Sequence, residues 1–95
     1  MTKQEHLLVC LSEECNEVIH AVSKTLRFGP DEIWPKMEQT NIERVRIELN
    51  DLMAVVTMLE GEGFNLTRTA GEMVAKQKKV EKYIEYAKTL GTLKD

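Results

Sequence analysis

The chain has 95 residues, of which 42% are hydrophobic and only 5% aromatic, and its formal net charge is −3 at pH 7. This size allows one domain, over residues 1–95, and the residue types favour helices, so we expect an all-α fold. The acidic balance argues against nucleic-acid binding, and no apolar run approaches the ~20 residues of a membrane span. The polar N-terminus does not resemble a signal peptide, so we expect a cytoplasmic protein.

The first predicted helix begins at Thr2, because Thr2 and Glu5 have the spacing of a capping box. Apolar residues then recur every three or four positions as far as the stop at Gly29-Pro30. At ~1.5 Å per residue this helix is about 40 Å long. One chain of this size has too few residues to cover the apolar side of so long a helix, so we expect a partner subunit.

Residues 29–39 predict a loop with one short turn of helix, since the segment contains two prolines. Thr40 and Glu43 repeat the capping-box spacing and open a second helix, which Gly61 and Gly63 close.

A third helix is predicted from near Thr69, with Glu72 three residues on, to the stop at Gly91. Short connections favour antiparallel neighbours. We therefore expect a bundle of antiparallel helices, completed by association of identical chains.

Two pairs of carboxylates stand out, Glu14 with Glu17 and Glu48 with Asp51, each at i,i+3 spacing on a different predicted helix. This spacing places both members of a pair on one helix face. Four acidic groups brought together repel one another unless a cation lies between them. The pairs therefore indicate a site for a divalent metal.

The helical wheel predicts that the two pairs converge. The apolar stripe of the first helix centres near Val18 and Val22, and that of the second near Leu49 and Val56. Both acidic pairs lie roughly 80° to 140° to the same side of their stripe. In an antiparallel pair of helices, equal offsets of this kind place the four carboxylates in one cleft.

The segment Glu17-Val18-Ile19-His20 also matches the E-x-x-H element of di-iron helical bundles. Such sites need two E-x-x-H elements, whereas the second pair is Glu48-x-x-Asp51 and the only other histidine, His6, lies far along the first helix. Ligands that are all oxygen favour Mg²⁺, with Mn²⁺ as a substitute.

Magnesium held in a cleft is typical of phosphate chemistry. Basic residues that could bind phosphate are Lys24 and Arg27 on the first helix and Lys76 and Lys79 on the third. Trp34, in the predicted loop, could stack on a base.

Glu13-Glu14-x-x-Glu17 followed by Glu48-x-x-Asp51 resembles the E-E-x-x-E … E-x-x-D signature of the MazG-like, all-α nucleoside triphosphate pyrophosphohydrolases. The resemblance spans the chain from about Leu7 to Tyr83. Its other segments are Lys24–Gly29, Thr40-Asn41 and Glu48–Val56.

The resemblance implies hydrolysis of the α–β bond of a nucleoside triphosphate, giving the monophosphate and pyrophosphate. It implies Mg²⁺ bound by Glu14, Glu17, Glu48 and Asp51, with Glu13 as a further acidic residue. Glu14 or Glu17 could activate the attacking water, and sequence does not choose between them. It also implies a homodimer or homotetramer.

Two alternatives stay open. Within the same superfamily the substrate could be phosphoribosyl-ATP. In a different class, the acidic face could simply be solvated or could recruit a basic partner, which would make the chain a non-catalytic helical interaction module.

Overall fold

A computed structural model describes residues 1–94 and contains no strand within that range. Its three helices are α1 (Lys3–Phe28), α2 (Asn41–Gly61) and α3 (Ala70–Leu90). The all-α prediction is therefore confirmed. None of these helices, which lie wholly within the described residues, is long and apolar enough to cross a membrane.

Threonine caps begin all three helices at the predicted positions. In α1 the Thr2 hydroxyl accepts from the amide of Glu5 at 3.1 Å, and the Glu5 carboxylate accepts from the amide of Thr2 at 3.1 Å. Thr40 and Glu43 form the same reciprocal pair at the start of α2, and Thr69 caps α3. These bonds satisfy amides that have no partner within the helix, so the chain defines its helix starts locally.

α1 and α2 pack as the predicted antiparallel pair. At one end, the Gln4 side chain donates to the Glu62 carbonyl at 2.8 Å, and Lys3 Nζ lies 2.7 Å from a Glu62 carboxylate oxygen. At the other end, Asn41 Nδ2 donates to the Gly29 carbonyl at 2.9 Å. Polar contacts at both ends therefore hold the two helices in register.

The rotation of α2 differs from the predicted one. Leu49, at the centre of the predicted stripe, is 44% exposed, whereas its neighbour Glu48 is only 7% exposed. Leu59 is fully buried, and Val55 is half-buried. α2 carries apolar side chains on two adjoining faces. The face of Leu59 packs against α1, whereas the face of Leu49 is covered only in part, with Val56 half-buried and Leu49 itself exposed.

The loop between α1 and α2 contains no helical turn, so that part of the prediction is wrong. Instead, the Met37 amide donates to the Trp34 carbonyl at 2.9 Å, which closes a turn with Pro35 and Lys36 at its centre. Lys36 has a φ of 67°. Proline followed by a positive φ is typical of a type II turn, and this geometry replaces the helical turn.

α3 stands apart from the helix pair. Within the described residues it packs against neither α1 nor α2, and none of its side chains is buried. Apolar side chains such as Met73, Val80 and Ile84 are 37% to 57% exposed. A single chain therefore forms one antiparallel pair and a projecting helix, not a three-helix bundle.

Leu59→Ala tests the packing of α2 on α1. Leu59 is the one large side chain that is fully buried among the described residues, so we expect the truncation to lower the free energy of unfolding by about 2–5 kcal/mol. Urea denaturation followed by circular dichroism measures this loss. The control is Leu26→Ala, because Leu26 is 82% exposed and its truncation should cost less than about 0.5 kcal/mol. Equal losses in the two variants would contradict the assigned core.

Candidate functional site

Three carboxylates converge where the middle of α1 passes the first half of α2. One carboxylate oxygen from each of Glu14, Glu48 and Asp51 lies within 4.8 Å of the other two. The i,i+3 spacing on α2 puts Glu48 and Asp51 on one face, and the antiparallel packing brings Glu14 to them. The result is a group of three oxygen donors from two helices.

Burial and like charge both act on Glu14, which is half-buried. Its pKa is raised, first because part of the side chain is shielded from water and then by the negative charges of Asp51, Glu48, Glu17 and Glu13. Both effects disfavour the ionised carboxylate. An added cation would offset this repulsion, so the electrostatics suit a metal ligand.

A positive charge lies beside this group. Arg44 Nη2 donates to Glu48 Oε1 at 2.8 Å, across one turn of α2. Glu48 is buried, so this hydrogen bond also holds its carboxylate in one orientation. Only one of the two Glu48 oxygens is used in this way, so the other can still act as a ligand.

A cleft adjoins the three carboxylates and shares Glu48 with them. Its walls come from the second half of α1, the loop between the helices and the start of α2. The lining residues are Glu17, His20, Ala21, Lys24, Trp34, Met37, Gln39, Asn41, Arg44 and Glu48.

Trp34 forms an aromatic wall of the cleft. Lys24 Nζ lies 3.7 Å from the centroid of the Trp34 ring, close enough for a cation–π interaction. The Phe28 ring meets Trp34 edge to face, with centroids 5.8 Å apart. The indole is therefore held in place by two residues of α1.

The sequence was compared with known protein families. The MazG nucleotide pyrophosphohydrolase domain matches residues 2–85 of the chain. The chain belongs to this family. The matched range contains all of α1 and α2, the three clustered carboxylates and every residue that lines the cleft. Comparison with curated proteins and with solved structures gives no match.

In this member of the MazG family the four expected metal ligands are not equally placed. Glu14, Glu48 and Asp51 form the close group, whereas Glu17 is exposed and lines the adjoining cleft. Glu13 is also exposed. The charges of both residues nevertheless contribute to the raised pKa of Glu14.

The expected phosphate-binding residues separate into two groups. Lys24 lines the cleft, but Arg27 lies outside its lining with its guanidinium 5.0 Å from the Phe28 ring. Lys76 and Lys79 are exposed on α3, and no residue of this helix lines the described cleft. Within one chain, the two α3 lysines are therefore not part of the site.

Sequence reasoning missed two residues that shape the site. Arg44 was missed because Arg and Glu at i,i+4 spacing are common on solvated helices, although this spacing was the available signal. Asn41 is 3% exposed and donates to the Gly29 carbonyl at 2.9 Å and to Glu32 Oε1 at 2.8 Å. Asn41 therefore connects the loop between α1 and α2 to the start of α2.

Glu14→Gln tests the repulsion within the cluster. The pKa of Glu14 is higher in the native state than in the unfolded chain, so the native state loses stability as the pH rises through these two pKa values. We expect the neutral side chain to raise the Tm at pH 7 in the presence of a chelator. The gain should disappear near pH 3, where the wild-type carboxyl is protonated in both states.

Differential scanning calorimetry at several pH values measures this change. Glu81→Gln is the matched control, because Glu81 is exposed on α3, away from the cluster. The control should leave the Tm almost unchanged. A lower Tm for Glu14→Gln at pH 7 would contradict the repulsion.

Proposed function

We propose that the protein is a divalent-cation-dependent nucleoside triphosphate pyrophosphohydrolase. It hydrolyses the α–β phosphate bond of ribo- or deoxyribonucleoside triphosphates to give the monophosphate and pyrophosphate. The observation that carries this proposal is the convergence of Glu14, Glu48 and Asp51 from two helices in a chain of the MazG family.

The donor set suits Mg²⁺, with Mn²⁺ as a substitute. Glu14, Glu48 and Asp51 offer oxygen atoms from carboxylates alone, which are ligands that hard divalent cations prefer. Glu17, in the adjoining cleft, is the fourth proposed ligand. A bound Mg²⁺ neutralises phosphate charge and lowers the pKa of a bound water.

The acidic residues of α1 also provide candidates for removing a proton from the attacking water. Glu14 is the first candidate, because one of its carboxylate oxygens lies within 4.8 Å of oxygens of Glu48 and Asp51, beside the proposed cation. Glu17 lines the cleft next to the clustered carboxylates, so it is the second candidate, and the neighbouring Glu13 can assist. Because water attacks the phosphate directly in this scheme, hydrolysis needs no covalent intermediate with the protein.

The cleft supplies the groups that a nucleotide requires. Trp34 presents an aromatic surface on which a base can stack, and Lys24 places a positive charge against the same ring. Glu48 connects this end of the cleft to the proposed metal ligands. A triphosphate could therefore extend from the base site towards the cation. Arg27, one helical turn from Lys24 on α1 but outside the cleft lining, is a further proposed phosphate-binding residue.

The exposed face of α3 supports association of identical chains into a homodimer or homotetramer. Met73, Val80, Ile84 and Ala87 recur at helical spacing along α3, and a single chain buries none of them. A projecting apolar helix of this kind needs a partner in water. In the oligomer, Lys76 beside this stripe could reach the site of another subunit.

We place this activity in the cytoplasm. Cys10 and Cys15 are both free thiols in the structure. Unpaired cysteines are typical of reducing compartments, and nucleoside triphosphates are metabolites of the cytoplasm.

Glu48→Gln/Asp51→Asn tests the proposed metal site. We expect pyrophosphate release to fall at least about 100-fold because two of the charged ligands are lost, while the helix content is retained. The assay supplies the eight common ribo- and deoxyribonucleoside triphosphates, and separately phosphoribosyl-ATP, with and without Mg²⁺. Glu81→Gln is the control with an altered carboxylate outside the site.

The outcomes separate the candidate functions. Turnover of phosphoribosyl-ATP alone would favour the narrower enzyme of the same superfamily. Absence of pyrophosphate release from every substrate in the presence of Mg²⁺ or Mn²⁺ would contradict a hydrolase and favour the non-catalytic interaction module.

Ile84→Asp tests association through α3. Ile84 lies on the apolar stripe, so we expect the charged side chain to weaken the oligomer, and light scattering after size-exclusion chromatography measures its mass. Lys82→Asp is the matched control, because Lys82 lies about 160° away on α3. The control should keep the wild-type mass. A wild type that is monomeric at ~50 μM, where a dimer with a Kd of about 1 μM would be mostly assembled, would contradict this proposal.

A further inference from the structure

We infer that Arg44 is a phosphate-binding residue of the cleft, which uses one N–H group to orient Glu48 and presents its other donors to the phosphate chain. This inference rests on the proposed function for the identity of the ligand, a nucleoside triphosphate.

The guanidinium of Arg44 has spare donors. An arginine side chain carries five N–H groups in a rigid planar fork. Among the described residues Arg44 makes one side-chain hydrogen bond, from Nη2 to Glu48 Oε1 at 2.8 Å. The side chain is 37% exposed and lines the cleft, so the unused donors are accessible to a ligand there.

Glu48, which accepts the hydrogen bond from Arg44, is itself held firmly in place. Glu48 is 7% exposed, and its carboxylate belongs to the cluster with Glu14 and Asp51. A guanidinium that is held by a buried carboxylate loses little conformational freedom when it binds a second group. Arg44 is therefore positioned in advance at the junction of the acidic cluster and the cleft.

Arg44 also offsets part of the negative charge in the lining of the cleft. Its ionisable lining consists of Glu17 and Glu48, which are acidic, with Lys24 and Arg44, which are basic, and His20. Lys24 is engaged with the Trp34 ring at 3.7 Å. Among the basic residues of the lining, Arg44 is thus the one paired with a carboxylate of the cluster, so it places a positive charge where the phosphate chain would approach Glu48.

A competing explanation is that Arg44 only stabilises the helix through an i,i+4 ion pair. Such pairs contribute little to stability, and an arginine with only this role should affect the affinity for an anion no more than another exposed arginine of the same helix does. Binding of inorganic pyrophosphate therefore distinguishes a phosphate-binding residue from a structural one. The structure offers Arg46 as a matched control, since Arg46 is exposed on the same helix and does not line the cleft.

The experiment measures binding of inorganic pyrophosphate with Mg²⁺ to the full chain by isothermal titration calorimetry. We expect Arg44→Gln to raise the Kd about 10-fold or more, because a charge-assisted hydrogen bond is lost. Arg44→Lys should fall between this variant and the wild type, and Arg46→Gln should bind as the wild type does. Binding of Mn²⁺ without pyrophosphate, followed by electron paramagnetic resonance, should weaken less than pyrophosphate binding in Arg44→Gln, because Glu48 loses a hydrogen-bond partner but keeps its charge.

Three results would overturn the inference. They are absence of pyrophosphate binding by the wild type, a Kd for Arg44→Gln within twofold of the wild-type value, and a loss of Mn²⁺ affinity that accounts for the whole effect. If Arg44→Gln loses helix content, Arg44→Lys decides alone. A Kd raised about threefold or more then supports the inference, and wild-type affinity overturns it.

The hydrolase proposal fails independently of this one. A wild type that binds pyrophosphate through Arg44 but hydrolyses no nucleotide would refute the hydrolase and leave the phosphate site standing. A wild type that hydrolyses nucleotides while Arg44→Gln binds pyrophosphate normally would refute only the role of Arg44.

Discussion

The packing of α1 on α2 forces carboxylates of the two helices together, with one oxygen from each of Glu14, Glu48 and Asp51 within 4.8 Å of the others. Apolar contacts, with Leu59 fully buried, must outweigh the repulsion that this creates. The raised pKa of Glu14 is a direct consequence of that repulsion and of partial burial. A helix pair selected only for stability would not place these carboxylates face to face. We therefore interpret their repulsion as a loss of folding stability that the function of the site requires.

Burial of Glu48 links the fold to the site. When α2 turns the face of Leu59 towards α1, it also carries Glu48 inward to 7% exposure, and Leu49 outward to 44%. A buried carboxylate without a partner would be costly, and Arg44 supplies that partner at 2.8 Å. The same rotation thus orients a proposed metal ligand and brings a guanidinium to the cleft.

The sequence predicted local features better than relative positions. Helix starts depend on bonds within four residues, such as Thr2 with Glu5, so their patterns are readable without knowledge of the fold. The antiparallel pairing also followed from the short connection between α1 and α2. The rotation of α2 was not predictable, because its two adjoining apolar faces satisfy the same helical period. For the site, the acidic spacing was informative. Asn41 belonged to a segment of the family resemblance, but its role, like that of Arg44, became clear only from its neighbours in space.

The small core between α1 and α2 limits how rigidly the two helices can hold the carboxylates of the site. Among the described residues, the buried apolar side chains are Leu7, Ala21 and Leu59 alone, which is a small core for two helices of 26 and 21 residues. In the proposed oligomer, a partner helix that covers the exposed face of Leu49 would restrict rotation of α2. Because Leu49 adjoins Glu48, the same contact would restrict the carboxylate that Arg44 holds. Assembly would then set the geometry of the metal ligands, and dilution into monomers would weaken cation binding before it unfolds α1 or α2.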